Sequence, residues 1–115
     1  MLRVTIRRIR PGKEPRLREW LRELNARAEE VRATFVEETV RAEQAFIVPG
    51  ADGPLLVYAV EAADFERGAR AFASSQHPID HEHRVVMREC LGDPAGLDPL
   101  YDVAALQPRD RNGAD

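Results

Sequence analysis

Val40-Arg41-Ala42-Glu43-Gln44-Ala45-Phe46-Ile47-Val48, then Pro49-Gly50-Ala51-Asp52-Gly53-Pro54, then Leu55-Leu56-Val57-Tyr58-Ala59-Val60-Glu61 reads as strand, loop, strand. The outer segments are rich in β-branched and aromatic residues. The middle one is dense in Pro, Gly and Asp, which supply the backbone angles of a reversal. The hairpin lies mid-chain, so the patterns on either side of it decide the architecture.

Upstream, Leu2, Val4 and Ile6 alternate with Arg3, Thr5 and Arg7, the period-two pattern of a strand. Pro11-Gly12 ends it. From Pro15 the period changes: Leu17, Trp20, Leu21, Leu24, Ala28 and Val31 form one stripe of an amphipathic helix, with Glu14 and Pro15 suited to its first turn. Trp20 sits mid-stripe and reads as a core aromatic. Ala33 to Thr39 either extends this helix or forms a short second one.

Downstream, Asp64 caps a helix whose buried side carries Phe65, Ala69 and Phe72. Ser74-Ser75-Gln76 closes it and Pro78 opens another, on which Ile79, His83, Val86, Met87 and Cys90 share a stripe. Gly92-Asp93-Pro94-Ala95-Gly96 reads as a loop, Leu100 to Leu106 as the last strand, and 107–115 as a polar, disordered tail. The order is βαββαβ, the α+β ferredoxin-like fold with helices on one face of a four-stranded antiparallel sheet, over residues 1–106. If Leu2, Val4 and Ile6 face the helices, the other face carries Arg3, Thr5 and Arg7, paired to Glu43 or Asp102. Sheets of this kind pack face to face in homodimers, so a second copy of the chain is the expected partner.

With 115 residues the chain has room for one core. A net charge of −3, and arginines interleaved with glutamates, argue against nucleic acid as a partner. No run is apolar enough for a signal peptide or a membrane span, and the one cysteine, Cys90, fits a reducing, cytoplasmic setting.

All three histidines fall in His77-Pro78-Ile79-Asp80-His81-Glu82-His83. No single helix face collects them, so neither a metal nor another cofactor is expected. Asp80 falls in the first turn of its helix, where a carboxylate meets free N–H groups. His83 interrupts an apolar stripe and needs a partner, either a backbone carbonyl, Tyr58 or Tyr101. If it faces a pocket, an ordinary pKa near 6.5 suits it to proton transfer, with Asp80 orienting it and His77 as a second acid or base. Arg3 or Arg7 would then hold an anionic group, with Tyr58 beside the ligand. Cys90 reads as packing.

The chain resembles a family of small, mostly bacterial proteins known only as a domain of unknown function and assigned to the dimeric α/β-barrel group. The resemblance runs from about Leu2 to Asp102. It rests on Ile6-Arg7-Arg8-Ile9-Arg10-Pro11-Gly12-Lys13, Glu19-Trp20, Tyr58, and His77-Pro78-Ile79-Asp80 followed by His83. It implies the fold and puts His77, Asp80 and His83, but not His81, on recurring positions. It brings no reaction with it. The wider group includes cofactor-free monooxygenases, haem-degrading enzymes, lactone isomerases and mutarotases, and the chain lacks the signatures of the haem-degrading and mutarotase types. The function expected is a small-molecule-binding dimer, a cofactor-free isomerase, cyclase or monooxygenase. The alternative is a non-catalytic binding or regulatory module.

Overall fold

Pro15 in the first turn and Glu14 at the positive end of the helix dipole start α1 (Glu14–Ala26), whose apolar stripe drives Leu17 and Trp20 into the core. In the computed structural model, which describes residues 1–103 and residue 105, α1 follows β1 (Leu2–Ile9) and precedes α2 (Ala28–Glu38), β2 (Val40–Val48), β3 (Leu55–Ala62), α3 (Phe65–Ser74), α4 (Pro78–Cys90) and β4 (Leu91–Ala95). The strands form one antiparallel sheet in the order β2-β3-β1-β4, which is the ferredoxin-like arrangement.

The long helical stripe breaks at Arg27, earlier than the Ala33 to Thr39 stretch where the sequence leaves the boundary open. Neither Gly nor Pro causes the break. Arg27 is anchored there by Glu30 and by Glu82 of α4, at 2.7 to 3.1 Å. Thr39 then ends α2 in a left-handed conformation (φ 59°), and its hydroxyl clamps the backbone N–H and carbonyl of Asp64. Asp64 caps α3 through Arg67 N, as its sequence position predicts.

Ile9, Leu17, Trp20, Leu56, Ile79, Val86, Cys90 and Leu91 form the core between the sheet and the helices. Each large side chain withdrawn there from water contributes roughly 1.5–3 kcal/mol.

Two expectations are overturned. The last strand is Leu91–Ala95, within the segment read as a loop, while Leu100, Tyr101 and Val103 are exposed and outside any strand. No loop separates α4 from β4: Cys90 ends the helix and the buried Leu91 begins the strand. Side chains of β1 and its turn hold β4 in place, Arg7 binding the Gly92 carbonyl at 2.7 and 3.0 Å and Arg10 the Leu91 carbonyl at 2.8 Å. A strand with Gly, Asp and Pro in it survives because it is a short edge strand, where the missing N–H of Pro94 costs little. The expected tail, 107–115, lies outside the described residues.

The second correction concerns β1. Its register sets Arg7 opposite the core residue Leu56, Thr5 opposite Tyr58 and Arg3 opposite Val60. Arg3, Thr5 and Arg7 therefore share the helix side with buried Ile9, and Leu2, Val4 and Ile6 lie on the open face with Phe46 and Val57. Because strand parity is all or none, the one buried residue at Ile9 decides the orientation of the whole strand.

Candidate functional site

Helix α4 carries His83 inward from a stripe that also buries Ile79, Val86 and Cys90. Three elements meet its ring. Trp20 of α1 donates its indole N–H to His83 Nδ1 at 2.8 Å. The Tyr58 hydroxyl of β3 lies 3.3 Å from His83 Nε2. Phe72 of α3 packs edge-on, with ring centroids 5.6 Å apart.

The hydrogen bonds have a fixed direction. An indole nitrogen can only donate, so Nδ1 accepts and the single proton of the neutral ring sits on Nε2. That proton points at Tyr58 Oη, which accepts it and keeps its own hydroxyl proton free. Burial holds the His83 pKa down to about 4, with the charge of Asp80 opposing it only in part. An imidazolium would also set an Nδ1–H against the indole N–H. His83 is thus neutral at physiological pH, whereas the sequence implied an ordinary, titrating histidine.

Tyr58 and His83 form one wall of a cavity of about 160 Å³. Besides the Thr34 hydroxyl, its other polar groups are three carboxylates from three elements: Glu38 at the end of α2, Glu43 on β2 and Asp80 in the first turn of α4. Burial, then the charges of Glu38 and Asp80, push Glu43 up to about 7, although the residue keeps an open flank at the sheet edge. Burial is also the main cause that raises Glu38. Thr34 Oγ1 lies 2.8 Å from both Glu38 Oε1 and the Val31 carbonyl. One hydroxyl proton cannot serve both acceptors, so the pair is fully satisfied when Glu38 carries the second proton. Burial, then Glu43 and Glu38, raises the Tyr58 pKa and keeps the phenol protonated.

Asp80 is buried, 6% exposed, and its Oδ2 has no hydrogen-bond partner among the described residues. No side-chain bond caps α4, so the first-turn position of Asp80 does not use its carboxylate as a helix cap.

Of the residues singled out in the sequence, His83, Asp80 and Tyr58 converge on the cavity. His77 caps α4 by backbone position alone, 3.5 Å from Glu37, and does not line the cavity. Arg7 is committed to Gly92, and Arg3 stacks at 4.2 Å on the Phe65 ring, so neither reaches it. His81 is exposed, and Tyr101 is 84% exposed and no partner for His83. Among the described residues no three His, Cys, Asp or Glu side chains are grouped to hold a metal ion, and no helix is long and apolar enough to cross a membrane.

Glu38 and Glu43 escaped the sequence reading as site residues. Glu43 shares strand parity with Ala45 and Ile47, a carboxylate in an inward-facing row. Glu38 extends the Val31 and Thr34 stripe of α2. An acid on an apolar face was the available signal in both cases.

Comparison with curated proteins finds no match, and neither does comparison with solved structures. The family comparison does: residues 2–109 match DUF6176, a family of unknown function, and the chain belongs to that family.

Proposed function

We propose that the cavity is a small-molecule site working by acid–base chemistry of the isomerase type, with Glu43 exchanging the proton. The observation that carries this reading is the directed chain from Trp20 through His83 to Tyr58, which leaves the phenol proton free beside Glu43. A carboxyl titrating near neutrality can both take and return a proton at pH 7. Glu43 would remove a proton from a carbon next to a substrate carbonyl. The C–H electron pair moves into the carbonyl, whose oxygen is stabilised by the Tyr58 hydroxyl, and return of the proton gives the isomer. His83 acts as a neutral positioning residue in place of the acid–base role expected for it, and Asp80 belongs to the binding wall. His77 has no place in this scheme.

The test is exchange in D2O: small carbonyl compounds are incubated with the protein and deuterium uptake at carbon is followed by proton NMR. Uptake by the wild type that is lost in Glu43→Gln supports the reading. Equal uptake by both, or none by either, overturns it.

The dimeric α/β-barrel arrangement belongs to the same proposal. Its support is the open sheet face, where Leu2 and Phe46 are 68% and 48% exposed beside Val4, Ile6 and Val57. An antiparallel sheet can leave one face to water, but one that exposes this many apolar side chains beside Gln44 and Glu61 favours a self-complementary contact across a two-fold axis. Buried Cys90, kept as a free thiol, supports a cytoplasmic setting.

A second reading, a non-catalytic binding module, is favoured by the engagement of both His83 nitrogens within the protein. It predicts ligand binding without exchange at carbon.

A further inference from the structure

We infer that the ligand of this cavity carries an organic ammonium group, seated against Asp80 and Glu38, with an apolar chain running outward along the adjoining groove. The inference rests on the small-molecule reading above and names the class of molecule.

Among the described residues every charged side chain lining the cavity is a carboxylate, and no arginine or lysine reaches it. One of those carboxylates is unpaired: Asp80 is buried and its Oδ2 has no partner among the described residues. A buried carboxylate oxygen without a donor is costly, and the positive end of the α4 dipole, in whose first turn Asp80 sits, offsets that only in part. A ligand N–H⁺ supplies the missing donor. Phe35, Phe72 and Tyr58 add aromatic surface that attracts a cation. An anionic head group would meet three acids.

Size sets the rest of the ligand. At about 160 Å³ the cavity is smaller than the roughly 300–1,000 Å³ of sites for drug-sized molecules, so it takes a head group only. It opens, past Leu24, Val31, Phe35, Glu43 and Tyr58, into a groove of about 560 Å³ floored by Ala45 and Ile47. Arg18, Arg22 and Arg32 also line that groove. An aliphatic chain of a few carbons fits that path, and the carbonyl on which Glu43 acts would lie where the two spaces join.

The experiment compares n-butylammonium, n-butanol and butyrate at pH 7.5 against the full-length protein. Trp20 is the only tryptophan, so its indole N–H resonance, hydrogen-bonded to His83 behind the cavity wall, reports occupancy without ambiguity. Saturable shifts are expected with butylammonium, at least about tenfold weaker binding of the other two, and a loss of about tenfold in Asp80→Asn. Butanol or butyrate binding as tightly as butylammonium overturns the charge assignment while leaving Glu43-dependent exchange intact. The absence of a shift with all three probes also overturns it. Failure of the exchange reading shows separately, in the D2O experiment. Should Asp80→Asn fail to fold, the three wild-type titrations decide the matter alone.

Discussion

Trp20 Nε1 lies 2.8 Å from His83 Nδ1, and this contact fixes the tautomer and the outward face of the histidine and, together with burial, keeps its ring neutral. Removing the donor should loosen all three. Trp20→Phe keeps an aromatic ring in the core but leaves Nδ1 unpaired. The His83 pKa should rise from about 4, and the protein should lose roughly 1–3 kcal/mol from the unsatisfied acceptor, with a smaller addition from lost volume. Imidazole NMR titration and urea unfolding measure the two effects. An unmoved His83 pKa would show that burial alone, and not the indole, sets it.

Glu43 and His83 pull the pH dependence of stability in opposite directions. Glu43 titrates near 4.5 when unfolded and about 7 when folded, so between these values the folded state keeps a proton that the unfolded chain releases. Its contribution to stability therefore falls as pH rises from 4.5 to 7. His83 goes from 6.5 unfolded to about 4 folded, so the unfolded chain holds the extra proton and stability falls as pH drops from 6.5 to 4. Over the overlap these two contributions offset each other in the wild type. His83→Gln should become less stable with rising pH there, joined by Glu38, whose pKa is also raised. Glu43→Gln should instead lose stability on acidification. Urea midpoints at pH 4 to 7.5 test this, and identical profiles for the two variants would refute it.

Gly68 in α3 stands against the end of α2: a Cβ there would lie 2.6 Å from the Glu38 carbonyl oxygen. Helix propensity favours alanine by roughly 0.5–1 kcal/mol, whereas forcing the backbones apart costs about 1–3 kcal/mol. Gly68→Ala should therefore destabilise, and it should also disturb the cavity, since Glu38 and Phe72 are carried by the two helices it separates. A raised thermal midpoint would contradict the close packing.

Val4 sits on the open sheet face, 39% exposed, in the row with Gln44 and Ala59. If two copies pair through this face, Val4→Glu should give a folded monomer by sedimentation velocity, with unchanged far-UV circular dichroism. A wild-type protein that is monomeric at every concentration would remove the interface from consideration.

Periodicity along the chain was enough for most of the architecture. The hairpin of β2 and β3, the stripe of α1, the Asp64 cap and the Pro78 start all follow from local spacing, because capping and burial patterns act over a few residues. The convergence of His83, Asp80 and Tyr58 was partly legible for the same reason, since a polar residue inside an apolar stripe must meet something. What stayed hidden depended on long-range pairing. Leu91–Ala95 has no strand pattern and becomes one only because β1 offers it a free edge, and β1 and the turn after it supply the Arg7 and Arg10 side chains. The faces of β1 look alike in alternation, and it took the burial of Ile9 against Leu91 and the core to choose between them. Glu38 and Glu43 are ordinary acids in the sequence; packing of α2 against the sheet brings them to Asp80 and Tyr58, and partial burial among like charges, a property of the whole fold, raises their pKa and turns them into a candidate site.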